Sequence, residues 1–251
     1  VCGDALEFLR SLAPSIADVL FLDPPFNLRK KYSQNFPSLD RRSEHEYIDW
    51  IREILSESIR VLGHGGTLYL YHIPQWAMRL GNFLDSSLSF RHWIAISMKN
   101  TFARGARLYP AHYALLMFTK GKPNILNRPK LEPQKCRHCG QYIKDYGGYR
   151  SIIEQKGLNL TDFWDDISPV RHPNRKHRRA NELPPLIFKR IIEISGSLNG
   201  IYVDPFAGSG SGVIEAATAG MQFICSDLIE DNCSIIESRV ENLRKEKRYK
   251  K

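Results

Sequence analysis

Apolar residues recur along the chain with two periods, which predict alternating strands and helices. Short continuous apolar runs predict buried strands at 18–23, 67–71, 92–99, 112–120, 201–204 and 223–227. Helical spacing of apolar residues predicts helices at 44–62, 74–88, 182–195, 211–219 and 231–245. This alternation is typical of a doubly wound, mostly parallel α/β sheet with helices on both faces. The neighbouring runs 92–99 and 112–120 are expected to pair in antiparallel fashion.

One long segment departs from this rhythm. Residues 121–179 are rich in Lys, Arg, Asn, Pro and Gly and show little apolar periodicity. A structureless loop of that length is improbable inside a compact domain. We therefore expect one domain over 1–251 that carries an inserted subdomain at 122–171. The opening residues Val1 to Asp4 resemble the end of a strand, so we also expect further chain before them.

A glycine-rich turn, DPFAGSG from Asp204 to Gly210, ends the apolar run 201–203. Glycine permits a tight turn and close approach of the backbone to a ligand, and the following helix directs N–H groups toward it. Asp227 ends the next apolar run, where a carboxylate can accept hydrogen bonds from ribose hydroxyls. These features predict a site for an adenosine-type cofactor, and a ligand-free turn is the alternative. Because Val213 replaces the third glycine of the dinucleotide fingerprint, the cofactor need not carry a pyrophosphate.

A second turn, Asp23-Pro24-Pro25-Phe26, ends the apolar run 19–22. The prolines fix φ and carry no N–H, which leaves backbone carbonyls as acceptors. An aromatic amine such as that of adenine or cytosine needs two acceptors and a stacking surface. Asp23, the Pro24 carbonyl and Phe26 offer both, and such hydrogen bonding would free the nitrogen lone pair to attack an electrophilic methyl carbon. An ordinary proline-rich turn is the alternative.

Both turns follow predicted strands at their carboxyl ends, where open α/β sheets bind ligands. Together they predict methyl transfer to a nucleobase, which enzymes acting on duplexes flip out of the stack. The formal net charge of +9 favours a polyanionic partner. Basic residues cluster at 29–31, 41–42 and 171–179, where we expect phosphate contacts, and at 244–251, where we expect a solvated surface.

The sequence shows no apolar run of about eighteen residues and no secretory signal, so we expect no membrane partner and a cytoplasmic location. Five cysteines at uneven spacing favour a reducing setting over a disulfide scaffold.

At the two turns the chain resembles the amino-methyltransferases of DNA, which use S-adenosylmethionine. Their tetrapeptide (Asp/Asn/Ser)-Pro-Pro-(Tyr/Phe) matches residues 23–26, and their cofactor segment Asp-Pro-Phe-x-Gly-x-Gly matches residues 204–210. The order of the motifs is that of the circularly permuted β-group. The resemblance covers nearly the whole chain except roughly 121–160, and the two motifs are specific as a pair. One departure is His177-Arg178-Arg179, where the family often continues with other residues.

The resemblance implies a class I, Rossmann-like methyltransferase fold with a seven-stranded type of sheet. It implies methyl transfer to an exocyclic amine in double-stranded DNA, with N6 of adenine expected over N4 of cytosine because the tetrapeptide begins with aspartate. The residues implied to act in catalysis are Asp23, Pro24, Pro25 and Phe26. The residues implied to bind the cofactor are Asp4, Asp23, Asn181, Asp204, Phe206, Gly208, Gly210 and Asp227.

In this family the segment before the last helix–strand units commonly carries sequence recognition, so 122–171 is expected to be the target-recognition subdomain. Its basic residues are interleaved with tyrosines, a mixture that can contact phosphates and base edges. Residues 27–42 could close over the flipped base. The side chains that we expect to contact DNA are Arg29, Lys30, Lys31, Arg128, Lys130 and Arg137.

Cys136 and Cys139 have the spacing of half a zinc knuckle. A structural zinc site needs four ligands, and no second pair occurs at normal spacing. His172 or a partner subunit could contribute, but we favour a metal-free turn and expect no metal site. The tryptophans at 50, 76 and 93 are expected in the core, and the histidines at 45, 64, 72 and 92 are expected to be surface or structural groups and not ligands.

Other functions remain open from the sequence alone. An RNA base could replace the DNA base, or the chain could be a non-catalytic nucleic-acid-binding module with a decayed cofactor site. A nucleotide-dependent oxidoreductase is a more distant alternative, weakened by Val213. The resemblance also allows a homodimer and a cognate restriction endonuclease that acts on the same DNA site.

Overall fold

The computed structural model describes residues 1–28, 42–97, 108, 110–136, 138–144, 146–168 and 182–249, with side chains up to 245. The helices within these ranges are α1 Ala5–Ser11, α2 Glu44–Val61, α3 Pro74–Asp85, α4 Arg150–Lys156, α5 Pro185–Ser195, α6 Ser211–Thr218 and α7 Glu230–Tyr249. The strands are β1 Ala17–Leu22, β2 Leu62–His72, β3 Ser89–Ser97, β4 His112–Thr119, β5 Lys130–Leu131, β6 Leu158–Asn159, β7 Phe163–Trp164, β8 Ile201–Asp204 and β9 Gln222–Cys225.

Seven of these strands form one sheet in the order β7-β3-β4-β2-β1-β8-β9. The pairs β2–β1, β1–β8, β8–β9 and β3–β7 are parallel, whereas β4 is antiparallel to both of its neighbours, β2 and β3. The predicted mostly parallel α/β sheet and the predicted antiparallel pair are therefore confirmed. Of the helices in the described ranges, none is long and apolar enough to cross a membrane.

Alternating strand residues point to two hydrophobic cores, one on each face of the sheet. On one face, α1, α2 and α3 pack against residues such as Leu20, Leu68 and Leu116. On the other face, α5 and α6 pack against Val19 and Phe21 and their neighbours. The strands are apolar on both sides because both faces are covered, which is why they read as continuous apolar runs.

Two predicted boundaries differ from the structure at β2. The helix predicted at 44–62 ends at Val61, and the strand predicted at 67–71 begins earlier, at Leu62, so that residues 63–66 belong to β2. An irregularity in the β1–β2 pairing accommodates them, since Ala17 pairs with Leu62 and Val19 with Thr67. Helices α3 and α5 are also shorter than the apolar periodicity suggested, because α3 ends at Asp85 and α5 begins at Pro185.

The described part of the inserted segment forms its own small elements. Strands β5 and β6 make a two-stranded antiparallel sheet, and α4 follows a short 3₁₀ turn at Tyr146–Gly148. The segment is tied to the last turn of α5, where the Asn127 N–H donates to the Ile194 carbonyl at 2.8 Å. Its far end adds β7 to the main sheet, and Arg190 forms an ion pair with Asp166 there.

Candidate active site

Neighbouring strands bring the two sequence motifs to one place. Strands β1 and β8 are adjacent and parallel, with Val19 opposite Tyr202 and Leu20 opposite Val203. The turns that follow them therefore leave the same edge of the sheet. They enclose a cleft of about 270 Å³, a volume that includes space open to solvent. Residues from both turns and from α5 and α6 line it: Phe21, Asp23, Leu183, Phe188, Asp204, Phe206, Ala207, Gly208, Ser209 and Ser211.

Asp204 is the most deeply buried carboxyl group in this cleft, with 1% of its surface exposed. The Phe206 N–H and the Tyr202 hydroxyl donate hydrogen bonds to it, each at 3.0 Å. Burial raises the pKa of Asp204 to about 7 despite these two bonds, and the nearby charges of Asp23 and Asp227 raise it further. Burial opposes ionisation because water no longer solvates the charge. The cleft therefore favours a cationic ligand.

The glycine turn is held from behind by α7 and by Glu182. Gly210 has a φ of 79° and directly precedes α6, and a side chain there would meet Ile236 at 2.7 Å. Arg239 donates to the Ser209 carbonyl at 2.7 Å, and the Ser211 hydroxyl donates to the Glu182 carboxylate at 3.2 Å. A residue with a Cβ would be strained at this φ, so glycine is required for the turn itself.

Asp227 joins the end of β9 to the glycine turn. Its carboxylate accepts from the Gly208 N–H at 2.8 Å and from the Ile229 N–H at 2.9 Å, and the Asn232 amide donates to it at 2.8 Å. A carboxylate has about four acceptor positions, so these donors leave room for a ribose hydroxyl. The ribose contact remains a prediction, and the structure adds that Asp227 orients the turn.

Asp4 lies next to this corner of the site. The Gly3 N–H donates to the Asp227 carbonyl at 3.0 Å, and Asp4 then caps α1 by accepting from the Leu6 and Glu7 N–H groups. This cap satisfies helix donors that would otherwise lack partners. Asp4 is therefore positioned beside the predicted cofactor site, and its contact with a cofactor remains a prediction.

The tetrapeptide lies against a group of aromatic rings. Phe26 is buried and stacks on His72, with ring centroids 4.7 Å apart and an angle of 29° between the ring planes. Tyr71 and Tyr113 lie 6.0 and 5.9 Å from the same ring. Burial raises the pKa of both tyrosines, and the negative charge of Asp23 raises each further. Asp23 thus stands between the glycine turn and an aromatic wall.

The predicted DNA-contacting residues are only partly described. Arg29, Lys30, Lys31, Arg137 and the cofactor candidate Asn181 lie outside the described residues.

Arg128 is exposed and adjoins Asn127, which binds the last turn of α5. Leu183 and Phe188, near the start of α5, line the cleft, whereas Arg128 adjoins the residue that binds the other end of this helix. Lys130 is also exposed and donates to Asn159 at 2.5 Å. The structure does not bring either residue to the cleft, and their DNA contacts remain predictions.

The cysteine pair forms a tight turn in the inserted segment. The Cys136 N–H donates to the Gln141 carbonyl at 2.7 Å, and the Gly140 N–H donates to the Cys136 carbonyl at 2.9 Å. Hydrogen bonds from the N–H groups of Cys139 and His138 and from the Cys139 thiol lower the pKa of Cys136. Within the described ranges, no three His, Cys, Asp or Glu side chains are grouped to hold a metal ion, and His172 lies outside these ranges.

Sequence reasoning missed several residues that shape the site. Tyr47 reads as one more apolar position of an amphipathic helix, and Glu182 reads as the first residue of the predicted helix 182–195, whereas α5 begins at Pro185 and Glu182 binds Ser211. Trp50 was expected in the core, but it is half-buried, with Phe206 on one side at 6.2 Å and Arg42 stacked on it at 4.4 Å. No local signal marks these side chains, because their roles depend on contacts with distant segments.

A glycine next to the turn gives a first prediction. Replacing Gly212 by alanine should destabilise the protein by about 1–3 kcal/mol, because a Cβ there would lie 2.8 Å from the Phe188 ring and also crowd Tyr202. Urea unfolding measures the effect. Gly3→Ala is a matched control, since a Cβ at Gly3 meets nothing within 4 Å. Equal stability of the two variants would contradict the close packing of α6.

The fold and the site together define the class: an open α/β protein of the Rossmann-like type, with a cofactor cleft at the carboxyl ends of its parallel strands. The particular family follows from the sequence pattern. The pattern of the DNA methylase family matches residues 17–238, and the chain belongs to that family.

Comparison with individual proteins agrees with this assignment. The chain is 41% identical to the type II methyltransferase M.BamHI of Bacillus amyloliquefaciens over 247 residues, which cover 98% of this chain and 57% of that protein. It thus spans little more than half the length of this relative.

Two solved structures share the fold. The cytosine-N4-specific PvuII DNA methyltransferase superposes with a TM-score of 0.68 at 14% identity, over 95% of this chain and 84% of that chain. M1.HpyAVI in complex with SAM superposes with a TM-score of 0.63 at 16% identity, over 95% and 97% of the two chains.

Proposed function

We propose that this protein transfers a methyl group from S-adenosylmethionine to the exocyclic amine of a base in double-stranded DNA. The observation that carries the proposal is the shared cleft of Asp23 and the Asp204–Gly210 turn. Either turn alone has an ordinary structural explanation. Side by side, they offer an amine-binding group and a nucleoside-binding turn within one small volume, on a chain of net charge +9.

The lining of the cleft suits the cofactor in charge and in the surfaces that it offers. S-adenosylmethionine is cationic at its sulfonium and at its ammonium group, and the carboxyl groups of Asp23 and Asp204 both line the cleft. Gly208 presents backbone without a side chain to the cleft, and Phe206 supplies an apolar surface. When bound, the cofactor supplies the electrophilic methyl group. Asp204, Phe206, Gly208, Gly210 and Asp227 would hold it.

The remaining chemistry belongs to the chain itself. The Asp23 carboxylate and the Pro24 carbonyl would accept the two N–H bonds of the target amine and so fix the direction of its lone pair. Phe26 would support the flipped base by stacking. Transfer would form a new nitrogen–methyl bond while the sulfur–methyl bond of the cofactor breaks and leaves its electron pair on sulfur, and it would leave one proton in excess on the nitrogen. Asp23 would receive that proton.

The target base is a finer proposal. The aspartate-led tetrapeptide favours N6 of adenine, and N4 of cytosine is the alternative, which is the position named for the PvuII enzyme. We further propose a role in restriction–modification in the cytoplasm, with a cognate endonuclease that acts on the same DNA site. A dimer and a target-recognition role for 122–171 are parts of the same hypothesis.

Methylation of duplex DNA tests the proposal directly. The purified protein is incubated with mixed-sequence duplex DNA and isotopically labelled S-adenosylmethionine, and the nucleosides are then separated by mass spectrometry. We expect label in N6-methyladenine, whereas label in N4-methylcytosine would correct the base and keep the reaction. A parallel reaction with RNA identifies an RNA enzyme. Binding of the cofactor without transfer to either nucleic acid would refute the activity.

A further inference from the structure

A buried chain of hydrogen bonds connects the tetrapeptide to the core. The Tyr47 hydroxyl lies 2.7 Å from the Pro25 carbonyl oxygen and 2.7 Å from Nε2 of His72. The other ring nitrogen of His72, Nδ1, accepts from the Ile73 N–H at 2.9 Å. Tyr47 and His72 are both completely buried, one on α2 and the other at the end of β2. The chain thus joins three separate segments.

The direction of every hydrogen bond in this chain follows from the bond that the Ile73 N–H donates to Nδ1 of His72. Burial lowers the pKa of His72 to about 3, so its imidazole is neutral at physiological pH. A neutral imidazole has one donor and one acceptor nitrogen. Because Nδ1 accepts from Ile73, Nε2 carries the hydrogen and donates to the Tyr47 oxygen. The Tyr47 hydroxyl hydrogen is then directed to the Pro25 carbonyl.

The Pro-Pro sequence explains why such an anchor matters. Pro24 and Pro25 have no N–H, so the backbone of these two residues can be held only by donors to their carbonyl groups. Tyr47 holds the carbonyl of Pro25, which fixes the plane of the peptide bond that leads into Phe26. Phe26 then stacks on His72, the same side chain that orients Tyr47. One imidazole therefore supports both the peptide and the ring.

We propose that Tyr47 and His72 are positioning residues for methyl transfer, which orient the Pro25 peptide and the Phe26 ring so that the Pro24 carbonyl and Asp23 face the target amine. This inference rests on the proposed function and adds two residues to it. Neither residue lines the cleft, so they act through the tetrapeptide and not by contact with the cofactor. Small displacements of reacting groups lower rates strongly, because reaction needs a narrow range of geometries.

Tyr47→Phe is the critical variant, because it removes one oxygen atom and keeps the ring. We expect its single-turnover methylation rate to fall by about 10- to 100-fold, with the cofactor dissociation constant changed by less than about threefold.

Tyr69→Phe is the matched control. Its hydroxyl is also fully buried and hydrogen-bonded at 2.7 Å, to Ser195 at the end of α5 away from the cleft. It should lose similar thermal stability and keep its rate. Equal rates for the two variants would overturn the proposal.

Hydrogen exchange separates this inference from the proposed function. In Tyr47→Phe, the peptide that covers residues 20–28 should exchange faster than in the wild type, and in Tyr69→Phe it should not. This measurement needs no DNA. If the wild type transfers no methyl group, the proposed function fails, and the exchange result still decides whether Tyr47 holds the turn. Unchanged exchange in Tyr47→Phe would overturn the positioning role in either case.

Substitution of His72 completes the test. His72→Gln can keep a donor near the position of Nε2, whereas His72→Leu cannot. We expect His72→Gln to retain a higher methylation rate than His72→Leu. Each rate is compared with that of a control variant that has the same melting temperature, so that lost stability does not account for the difference. A ring that serves only to fill the core would give the opposite order, because leucine is the better apolar replacement.

Discussion

Replacing Asp23 by alanine is expected to lower the rate of methyl transfer by about 10³-fold, the largest effect of any single substitution in the cleft. In the proposed reaction the carboxylate accepts an N–H bond from the target amine and receives the released proton, so its loss would remove two contributions to the transition state. Single-turnover kinetics with saturating cofactor measures the rate. Calorimetry should show a cofactor affinity reduced by no more than about tenfold, because the glycine turn is intact.

Asp23→Asn is the matched variant. It keeps an oxygen acceptor without the charge. Asparagine is also one of the residues that the family's tetrapeptide allows at this position, so we expect a smaller loss of rate than with alanine. A second readout does not depend on activity. Because the charge of Asp23 raises the pKa of Asp204, both variants should lower that pKa. Transfer by Asp23→Ala within tenfold of the wild-type rate would exclude the assigned role.

The fold and the meeting of the two motifs could be predicted because each depends on a local pattern and one general rule. Apolar runs identified the strands β1 and β8, and the carboxyl ends of parallel strands meet at one edge of a sheet. The sequence therefore placed Asp23 beside the Asp204–Gly210 turn, and the cleft confirms that they are neighbours.

The support for the site could not be predicted in the same way. Tyr47 fits the apolar stripe of α2 as well as an isoleucine would, and His72 is simply the last residue of a strand. Their contact depends on how α2 packs against β2, which no local pattern specifies. The elements of the inserted segment could not be predicted from the sequence either, because strands of two residues such as β5 and β6 are too short to show a period of apolar residues.

Two buried groups near the site should make stability depend on pH in opposite directions. His72 has a folded-state pKa of about 3, below its ordinary value of 6.5. Between these values the unfolded chain binds a proton that the folded protein does not. The contribution of His72 to the free energy of unfolding is therefore fully present above pH 6.5. It falls by about 1.4 kcal/mol for each pH unit below that.

Asp204 makes the free energy of unfolding depend on pH in the opposite direction. Its folded-state pKa is about 7, above its ordinary value of 3.8. Between these values the folded protein binds a proton that the unfolded chain does not. The contribution of Asp204 therefore rises as pH falls from 7 to about 4, also by about 1.4 kcal/mol per pH unit. The two slopes oppose each other over the window from about 4 to 6.5, so the wild type should show little net change from this pair.

Removing either titrating group should reveal how the other makes the free energy of unfolding depend on pH. From pH 6.5 to 4, Asp204→Asn should lose about 3 kcal/mol of stability relative to the wild type, because the His72 dependence is no longer offset. His72→Gln should gain about 3 kcal/mol over the same interval, because the Asp204 dependence remains. Urea unfolding at several pH values measures both, and Asp165→Asn, at an exposed carboxylate, controls for the substitution itself. Curves for the two variants that run parallel to the wild type would show that neither group titrates as its burial requires.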